Sequence, residues 1–510
     1  MESVAPSVHG YSGILNEDLI ERREYQENIA LKAVERNTLV VIPTALGKTI
    51  IAIITLSILI RDGGKCIFLA PTRPLVHQHG MSMRKLLDLP EEEIVEITGE
   101  VDRSFREEMY RRARVIVSTP QVIDNDADLL AGLKDDVKVV IFDEAHRTTG
   151  DYSYVGVANF FSGSRIIATT ASPGGDREKI EEIIRNLRID NLEIRDENSP
   201  DVVKYINPIN VQRISIPTPP GCTRIMGYLR EMMDDVMKKL QHFGFAVDGH
   251  SRRDIVAIGE PIFAQIREGN REYFTALRYR TNAILIDYLI EFEETQGTLP
   301  FQAYLKKVKD DNPKAVQLFK DSRMVATEQE TASLLLQPLN VHTPKFSRIL
   351  DVLKEGNYEK VIIFCHYRVT ANLLSDMLKS QGYSCEKFIG QSSGKDGKGM
   401  SQKEQISTLQ RFREGEIRIL VATQVGEEGL DVPSADTVIF YEPVASEVRS
   451  IQRRGRTGRF GKGKVYVLTM ENSRDVAYYY AAGRKEKKMK SILRDDVQQE
   501  RNPQTTFDGF

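Results

Sequence analysis

The chain has 510 residues, 41% of them hydrophobic, and a formal net charge of −3 from 70 basic and 73 acidic side chains. This composition excludes a disordered tail and a polycation that binds nucleic acid by overall charge, so any such binding needs local basic surfaces. The four cysteines are scattered, which argues against a zinc site and suits a reducing cytoplasm. We find no signal-peptide pattern and no apolar run of the ~20 residues that cross a bilayer, and therefore expect a soluble cytoplasmic protein.

Two series of short β-branched runs alternate with stretches of helical character. Such runs predict buried parallel strands in βαβ units, and two series predict two doubly wound α/β domains. The first series comprises Leu39–Ile42, Ile67–Ala70, Val115–Ser118, Val139–Phe142 and Ile166–Thr169. The second series comprises Val361–Cys365, Ile417–Ala422, Thr437–Tyr441 and Val465–Thr469.

The long segment between the two series has helical periodicity and almost no strand-like run. In Met226–Leu240 the apolar residues recur three and four positions apart, and Phe263–Phe292 and Phe301–Leu318 are similar. This pattern predicts an all-helical insert. The predicted divisions are 1–198 for the first α/β domain, 199–337 for the insert, 338–483 for the second α/β domain and 484–510 for a basic tail, helical or solvated.

The first predicted strand leads through a tight loop into the apolar helix Ile50–Ile60. This order suits a triphosphate, because backbone N–H groups face the phosphates, Lys48 reaches the β and γ oxygens, and Thr49 can ligate Mg²⁺. The match is imperfect, since the strict pattern has glycine at the position of Ile42, and a chance Gly-Lys-Thr turn is the alternative. The loop comprises Pro43, Thr44, Ala45, Leu46, Gly47, Lys48 and Thr49.

The sequence Asp143-Glu144-Ala145-His146 directly follows the predicted strand Val139–Phe142. Carboxylates at the C-terminal end of a parallel strand lie in the crevice where open α/β sheets bind ligands. We expect Asp143 to hold Mg²⁺, mostly through water, and Glu144 to position and activate the attacking water. An acidic helix cap is the alternative, which the Gly-Lys-Thr loop upstream disfavours.

An arginine-rich segment, Gln452–Arg459, lies near the end of the second series. Its Arg453, Arg456 and Arg459 recur at helical spacing and form one cationic face. Guanidinium groups that face the γ-phosphate stabilise the charge of phosphoryl transfer. If Arg456 and Arg459 reach ATP, hydrolysis is coupled to closure of the cleft between the domains. A basic patch for a phosphate backbone is the alternative.

In this order the segments resemble the superfamily 2 helicases, which have two RecA-like domains, over about residues 20–480. The resemblance implies ATP and Mg²⁺ as cofactors. It implies adenine recognition by Arg23 and Gln26, with Gln26 as the base contact, and it places Gly429 and Asp431 beside the nucleotide. The residues it implies in coupling hydrolysis to movement are His146, Thr170, Ser172 and Gln452.

Other segments resemble the strand-tracking motifs of this superfamily. Tracking needs backbone N–H and hydroxyl donors at the sheet edge and cations for the phosphates, but no contact to base edges. We therefore expect little sequence preference. The candidate contacts to nucleic acid are Arg73, Thr119, Gln121, Arg368 and Thr423.

A narrower resemblance is to the subgroup of archaeal Hef, the Fanconi anaemia group M translocase, Dicer and the cytoplasmic RNA sensors, with Hef the most similar. The resemblance rests on the glycine loop, on Thr343-Pro344-Lys345, on Phe388–Gln391 and on Lys398–Gln405. It implies an ATP-dependent DNA helicase or translocase that acts on forked or branched DNA in replication-fork repair, at the nucleoid. Ala45 replaces the usual glycine. The nuclease signature Glu-Arg-Lys-x-x-x-Asp is absent, so we expect the helicase part alone or a member without the nuclease.

The predicted insert carries grouped cations at Arg252/Arg253, Arg278/Arg280 and Lys306/Lys307/Lys309. A solvated helix face explains such groups. The resemblance to Hef, whose insert is thumb-like, implies contact with duplex or junction DNA instead.

The C-terminal residues Gln504–Phe510 resemble a peptide that binds a sliding clamp, with an apolar residue three positions after the glutamine and an aromatic six positions after it. The second terminal aromatic is missing. An unstructured tail is the alternative.

Two further functions stay open. The subgroup includes proteins that bind duplex RNA, so an RNA-dependent ATPase is one alternative. A nucleotide-switched module that clamps branched DNA without turnover is the other. We expect His77, His79 and His366 to be hydrogen-bonded structural groups, because none has a partner at metal-ligand spacing.

Overall fold

The computed structural model describes residues 13–43, 46–149, 152–174, 176–205, 209–245, 251–311, 316–391, 399–423, 433–444 and 463–501. These residues form two parallel sheets flanked by helices and a separate helical domain. The predicted fold class, α/β with an all-helical insert, is confirmed. Within the described ranges, no helix is both long and apolar enough to cross a membrane.

The first sheet consists of β1 (Thr38–Val41), β2 (Lys65–Leu69), β3 (Ile94–Ile97), β4 (Val115–Ser118), β5 (Val137–Asp143), β6 (Arg165–Thr170) and β7 (Asn191–Ile194). Its order is β3-β4-β2-β5-β6-β1-β7, and every pairing is parallel. Alternate residues of β5, such as Ile141 and Phe142, lie in separate apolar clusters on the two faces. The five predicted strands are present. The sequence pattern misses the edge strands β3 and β7, because Glu96 and Glu193 interrupt them.

The helices around the first sheet follow its strands in the chain. They are α1 (Glu24–Glu35), α2 (Lys48–Leu59), α3 (Arg73–Leu86), α4 (Arg103–Arg112), α5 (Pro120–Asn125), α6 (Ala127–Leu130), α7 (Tyr152–Phe160) and α8 (Arg177–Asn186). Because each connection returns to the start of a parallel strand, the carboxyl ends of the strands and the N-termini of α2, α3 and α5 share one edge of the sheet.

The second sheet consists of β8 (Ile209–Ile216), β9 (Val361–Phe364), β10 (Cys385–Phe388), β11 (Ile419–Ala422), β12 (Thr437–Phe440) and β13 (Gly463–Met470). Its order is β10-β11-β9-β12-β13-β8, again with parallel pairs only. The boundary predicted at 199 is wrong, because β8 pairs along its whole length with β13 and belongs to the second domain. Its first residues are exposed and polar, so the edge strand shows no apolar run.

The helical insert therefore begins at Pro220. Its helices are α9 (Pro220–His242), α10 (Arg252–Ala257), α11 (Gly259–Arg267), α12 (Tyr273–Gln296), α13 (Thr298–Asp311), α14 (Val316–Phe319), α15 (Ser322–Leu335) and α16 (Leu339–His342). The single predicted helix Phe263–Phe292 is wrong, since Gly269 adopts φ 96° between α11 and α12. An apolar cluster contributed mainly by α9 and α12 forms the core of the insert.

The remaining described helices are α17 (Pro344–Glu355), α18 (Arg368–Ser380), α19 (Gln402–Glu414) and α20 (Arg474–Arg501). The first three pack on the second sheet. The predicted tail at 484–510 is corrected by α20, which starts at Arg474 and continues to Arg501. Met489 of α20 is only 3% exposed and lies in the apolar core of the first domain.

Candidate functional site

The glycine loop ends where α2 begins, at the carboxyl edge of the first sheet. Gly47 immediately precedes α2 with φ 76° and ψ 43°, a left-handed conformation that favours glycine. A side chain at Gly47 would also collide with the Gln26 amide. Lys48 and Thr49 occupy the first two positions of α2, whose free N–H groups suit an anion. Thr44 and Ala45 lie outside the described residues.

Gln26, the predicted adenine contact, is buried beneath this loop. Its Nε2 donates to the Leu46 carbonyl at 3.0 Å, and the Tyr25 hydroxyl donates to the same oxygen at 2.7 Å. Arg23 precedes α1, where Nη2 lies 2.7 Å from Glu21 Oε2. A pocket beside the loop is lined by Leu15, Glu17, Ile20, Glu21, Arg22, Arg23, Gln26, Glu27 and Ile54. The adenine role of Arg23 and Gln26 stays a prediction.

Asp143 and Glu144 lie at the carboxyl end of β5, on the same sheet edge. Thr169, the register partner of Asp143 on β6, donates its hydroxyl to Asp143 Oδ1 at 2.7 Å. His79 Nε2 lies 3.0 Å from Asp143 Oδ2. Glu144 has φ 51°, an unusual value for a residue with a side chain and one that concentrates at functional sites.

Charges around the pair keep both carboxylates ionised. Burial raises the pKa of Asp143, but the hydrogen bond from His79, the charge of Lys48 and the Thr169 hydroxyl outweigh it, so the pKa lies well below its usual range. Burial likewise raises the pKa of Glu144, and the neighbouring His146 and Lys48 lower it overall. The charge of Lys48 thus lowers the pKa of both acids, as expected of groups at the same edge of the sheet.

The residues present fit Mg²⁺ with a nucleotide. Within the described ranges, no group of three or more His, Cys, Asp or Glu could hold a metal ion by itself. Mg²⁺ commonly takes one or two carboxylates, with water and phosphate oxygens completing the shell. Glu144 Oε2 is buried and makes no hydrogen bond within the described part. Asp143 and Thr49 would hold the ion, and the loop would hold the phosphates.

A chain of polar contacts connects the acidic pair to the predicted coupling motif. His146 Nδ1 lies 3.2 Å from Thr170 Oγ1 and 3.3 Å from Glu144 Oε2. Thr170 Oγ1 accepts from the Ser172 backbone N–H at 3.2 Å, and the Ser172 hydroxyl lies 2.9 Å from Met489 Sδ on α20. Three of the four predicted coupling residues are therefore contiguous. Gln452 lies outside the described residues.

The candidate nucleic-acid contacts of the first domain follow two adjacent strands. Arg73 comes shortly after β2, whereas Thr119 and Gln121 come after β4. Arg73 and Gln121 are exposed and Thr119 is mostly buried. Arg73 Nη1 pairs with Glu100 Oε1 at 2.6 Å, so the predicted phosphate contact already has an acidic partner.

The corresponding candidates of the second domain, Arg368 and Thr423, follow the adjacent strands β9 and β11. Arg368 Nη2 donates to the Gly390 carbonyl at 3.2 Å, and the Thr423 N–H donates to the Phe388 carbonyl at 3.0 Å. Several predicted residues lie outside the described ranges. They are Gly429, Asp431, Gln452, Arg456, Arg459 and the whole of Gln504–Phe510.

The cations of the insert fall into two classes. Arg252 bonds to Asp287 at 2.5 Å and stacks over Tyr288, and Arg280 donates to the Ile255 and Val256 carbonyls. These two guanidiniums bind protein groups, and the role of the insert cations in DNA contact stays a prediction. The exposed cations are Arg253, Arg278, Lys306 and Lys309, of which Lys309 pairs with Glu328 at 2.6 Å.

Sequence analysis missed the donors that orient Asp143. His79 was expected to be only a structural group, and Thr169 closed a predicted strand without a role. Strand pairing could have identified Thr169, because β5 and β6 end together. No local signal identifies His79, since its contact with Asp143 depends on how α3 packs over β5.

Three family models match the chain. DEAD/DEAH box helicase matches residues 23–180, the helicase conserved C-terminal domain matches 344–461, and the ATP-dependent RNA helicase helical-bundle family matches 223–335. The third match begins after β8, in agreement with the corrected start of the insert. The three matches thus follow the predicted order of first helicase domain, helical insert and second helicase domain.

Similar proteins extend over nearly the whole chain. A Methanocaldococcus jannaschii protein named an ATP-dependent RNA helicase is 37% identical over 93% of the chain and 61% of its own length. The FANCM helicase of Arabidopsis thaliana is 33% identical over 91% of the chain and 36% of its length. The ATP-dependent DNA helicase MPH1 of Pyricularia oryzae is 31% identical over 92% and 45%. The chain thus spans less than two thirds of these curated relatives.

One solved structure matches this chain along almost its whole length. The helicase domain of Pyrococcus furiosus Hef superposes with a TM-score of 0.70 at 40% identity, and the alignment covers 92% of this chain and 99% of that one. This match is one of fold and of sequence together. The chain therefore belongs to the superfamily 2 helicases of the Hef and FANCM kind, a family of ATP-hydrolysing enzymes.

Proposed function

We propose that this chain is an ATP-dependent DNA translocase or helicase that remodels forked or branched DNA. The observation that carries the proposal is the position of Asp143 and Glu144 at the end of β5, within the electrostatic reach of Lys48. The two acids and the glycine loop lie at one edge of a sheet whose neighbouring strands lead to Arg73, Thr119 and Gln121. One edge of the fold thus carries both a nucleotide site and candidate strand contacts.

In this proposal the described residues divide the chemistry of hydrolysis. Lys48 binds the β- and γ-phosphate oxygens, Thr49 and Asp143 hold Mg²⁺, and Glu144 accepts a proton from the attacking water. Bound Mg²⁺ would neutralise developing charge on the phosphates. Arg456 and Arg459 complete the site from the second domain, so that hydrolysis changes how the two domains close.

The DNA substrate is inferred from relatives and from exposed cations. The names of MPH1 and Hef refer to DNA helicases or a helicase domain, and the MPH1 match covers 92% of the chain. Arg253, Arg278 and Lys306 are exposed on the insert and suit phosphate contacts with a duplex arm. We further propose that the chain acts in replication-fork repair at the nucleoid.

The test compares ATPase and unwinding activity on forked DNA, a four-way junction, single-stranded DNA and duplex RNA. We expect the largest stimulation by the fork or the junction and none of the activity in Lys48→Ala. Stronger stimulation by duplex RNA would support the alternative function, an RNA-dependent ATPase. That alternative is favoured by one observation, namely that two relatives are named RNA helicases.

A nucleotide-switched clamp is distinguished by Glu144→Gln. If tight ATP-dependent binding to branched DNA is the whole function, the variant should retain full function. If the chain is a motor, the variant should bind but not move.

We also propose that Gln504–Phe510 binds a sliding clamp. The peptide Arg501–Phe510 should bind an archaeal clamp in a titration, and absent binding at high micromolar peptide would refute the proposal.

A further inference from the structure

His79 is a buried imidazole in the second turn of α3. It is 3% exposed, and its ring packs on Phe68 with the centroids 4.5 Å apart. Nε2 lies 3.0 Å from Asp143 Oδ2, whereas Nδ1 is buried without a hydrogen-bond partner in the described part of the chain. A hydrogen on Nδ1 would be an unsatisfied buried donor, so we assign the hydrogen to Nε2, which donates to Asp143.

This hydrogen bond completes the restraint on the Asp143 carboxylate. The Thr169 hydroxyl binds Oδ1 and His79 binds Oδ2, so both oxygens have a donor from the protein. The plane of the carboxylate is thereby fixed, while the remaining lone pairs can face a hydrated cation. Without His79, the carboxylate could rotate about the bond to its Cβ atom, with Thr169 as the only side-chain donor.

The same helix starts at a predicted DNA contact. Arg73 is the first residue of α3, and His79 follows six residues later, about 9 Å along the axis. On the other side of α3, Glu96 of β3 accepts from Arg84. Because Arg73 and His79 belong to the same helix, displacement of its N-terminus by a bound DNA phosphate would also move His79.

We propose that His79 is a positioning residue that holds the Asp143 carboxylate and joins it, through α3, to the DNA-contacting edge of the first domain. The proposal rests on the assignment of Asp143 to Mg²⁺ made above. It adds a side chain to the path by which DNA would stimulate hydrolysis.

The test uses three variants of the full chain. His79→Leu keeps the volume but removes the donor, and His79→Gln places an amide N–H near the position of Nε2. His77→Leu is the matched control, because His77 is on the same helix but exposed and distant from Asp143 in its contacts. The measurements are binding of fluorescent N-methylanthraniloyl-ADP across a Mg²⁺ titration, ATPase activity with and without forked DNA, DNA affinity and the unfolding temperature.

We expect His79→Leu to need about 10-fold more Mg²⁺ for half-maximal nucleotide binding, the size of effect that outer-shell partners have on metal sites. His79→Gln should lie within about twofold of the parent, and His77→Leu should equal it. In His79→Leu the stimulation of ATPase by DNA should fall severalfold at unchanged DNA affinity.

Two results would overturn the proposal. One is an unchanged Mg²⁺ midpoint in His79→Leu, even with a lower unfolding temperature, because that combination means packing alone. The other is an equal loss in His79→Gln and His79→Leu, because the donor would then not matter. Unchanged stimulation by DNA in His79→Leu would refute the connection through α3. If Lys48→Ala still hydrolyses ATP, the proposed site itself is wrong. If Lys48→Ala is inactive while His79→Leu behaves as the parent, only the role of His79 is wrong.

Discussion

Buried carboxylates occur in two regions of the molecule with opposite surroundings. In the insert, Asp287 and Glu294 of α12 contact guanidinium groups: Arg252 and Arg474 bind Asp287 at 2.5 and 2.6 Å, and Arg230 binds Glu294 at 2.5 Å. Each of these acids is neutralised by cations from other helices. The cluster connects α9, α10 and α12 of the insert to the start of α20.

In the first domain, Asp143 is buried and Glu144 is partly buried, and neither contacts a guanidinium within the described ranges. The donors to Asp143 are an imidazole and a hydroxyl, and Glu144 Oε2 makes no hydrogen bond there. In this protein, a buried acid that pairs with arginine therefore has a structural role, because it connects neighbouring helices. Burial with neutral donors leaves negative charge available for a cation, which is what a nucleotide site needs.

The largest expected difference between the two regions is in catalysis. We expect Glu144→Gln to lower the ATPase rate about 1,000-fold, because the general base is lost, while nucleotide binding persists. The counterpart in the insert is Glu294→Gln, which should leave the turnover of folded molecules unchanged. Steady-state ATPase rates, normalised to folded protein, check both. Equal losses would mean that the two clusters do not differ in function.

Removal of a cation from the insert should affect stability instead. Arg474→Met leaves Asp287 and Glu294 short of a partner in a buried setting, and should lower the free energy of unfolding by about 4 kcal/mol. The control is Arg484→Met, an exposed position on the same helix. Urea unfolding followed by circular dichroism measures both. A similar small change in both variants would contradict the structural role of the cluster.

Glu293, which lies between these acids in the sequence, has no cationic partner among the described residues, and its ionisation can be tested by varying the pH. Burial raises its pKa from 4.5 to about 7, against the hydrogen bonds from Cys222 and Thr298. The folded chain thus keeps a proton that the unfolded chain releases near pH 4.5, so this residue makes stability fall as pH rises from 4.5 to 7. Glu293→Gln should therefore gain about 3 kcal/mol at pH 8 and nothing at pH 4.5. Urea unfolding midpoints of the parent and Glu293→Gln at the two pH values test this prediction. An equal gain in stability at both pH values would contradict the raised pKa of Glu293.

The smallest effect is expected at an exposed pair. Arg73 and Glu100 are 51% and 66% exposed, so their ion pair contributes under about 1 kcal/mol. Glu100→Gln should leave the free energy of unfolding unchanged but tighten DNA binding about twofold at low salt. In the variant, Arg73 can bind a DNA phosphate without first breaking its ion pair with the Glu100 carboxylate. Fluorescence anisotropy with forked DNA measures this, with Glu108→Gln as the exposed control. Weaker binding would mean that Glu100 itself contacts the nucleic acid.

Patterns with a local physical cause could be predicted from the sequence. The central strands were found because burial on both faces requires continuous apolar runs, and Lys48 and Asp143 were found because their motifs combine spacing with a strand end. The edge strand β8 was missed because its first residues are exposed. Exposed positions accept polar residues such as Asn210 and Gln212, so the strand has no continuous apolar run. The pattern of apolar residues thus identifies buried central strands and misses exposed edge strands.

Contacts between distant segments could not be predicted. Lys345 was recognised only as part of a family pattern, yet it is 1% exposed, donates to the Thr295 carbonyl at 2.7 Å and pairs with Asp475 at 2.7 Å. Nothing in a local window specifies partners 50 and 130 positions away. His79 and Met489 belong to the same class.

The helix α20 has a mechanical consequence. Its 28 residues form a rod about 42 Å long. One end is fastened to the insert and the second domain by Arg474 and Asp475, and Met489 is fastened inside the first domain beside Ser172. Since an α-helix scarcely stretches, the first and second domains cannot move apart along its axis unless Met489 leaves the core of the first domain. We therefore expect movement between the two domains to bend or rotate about α20 and to leave Met489 in place.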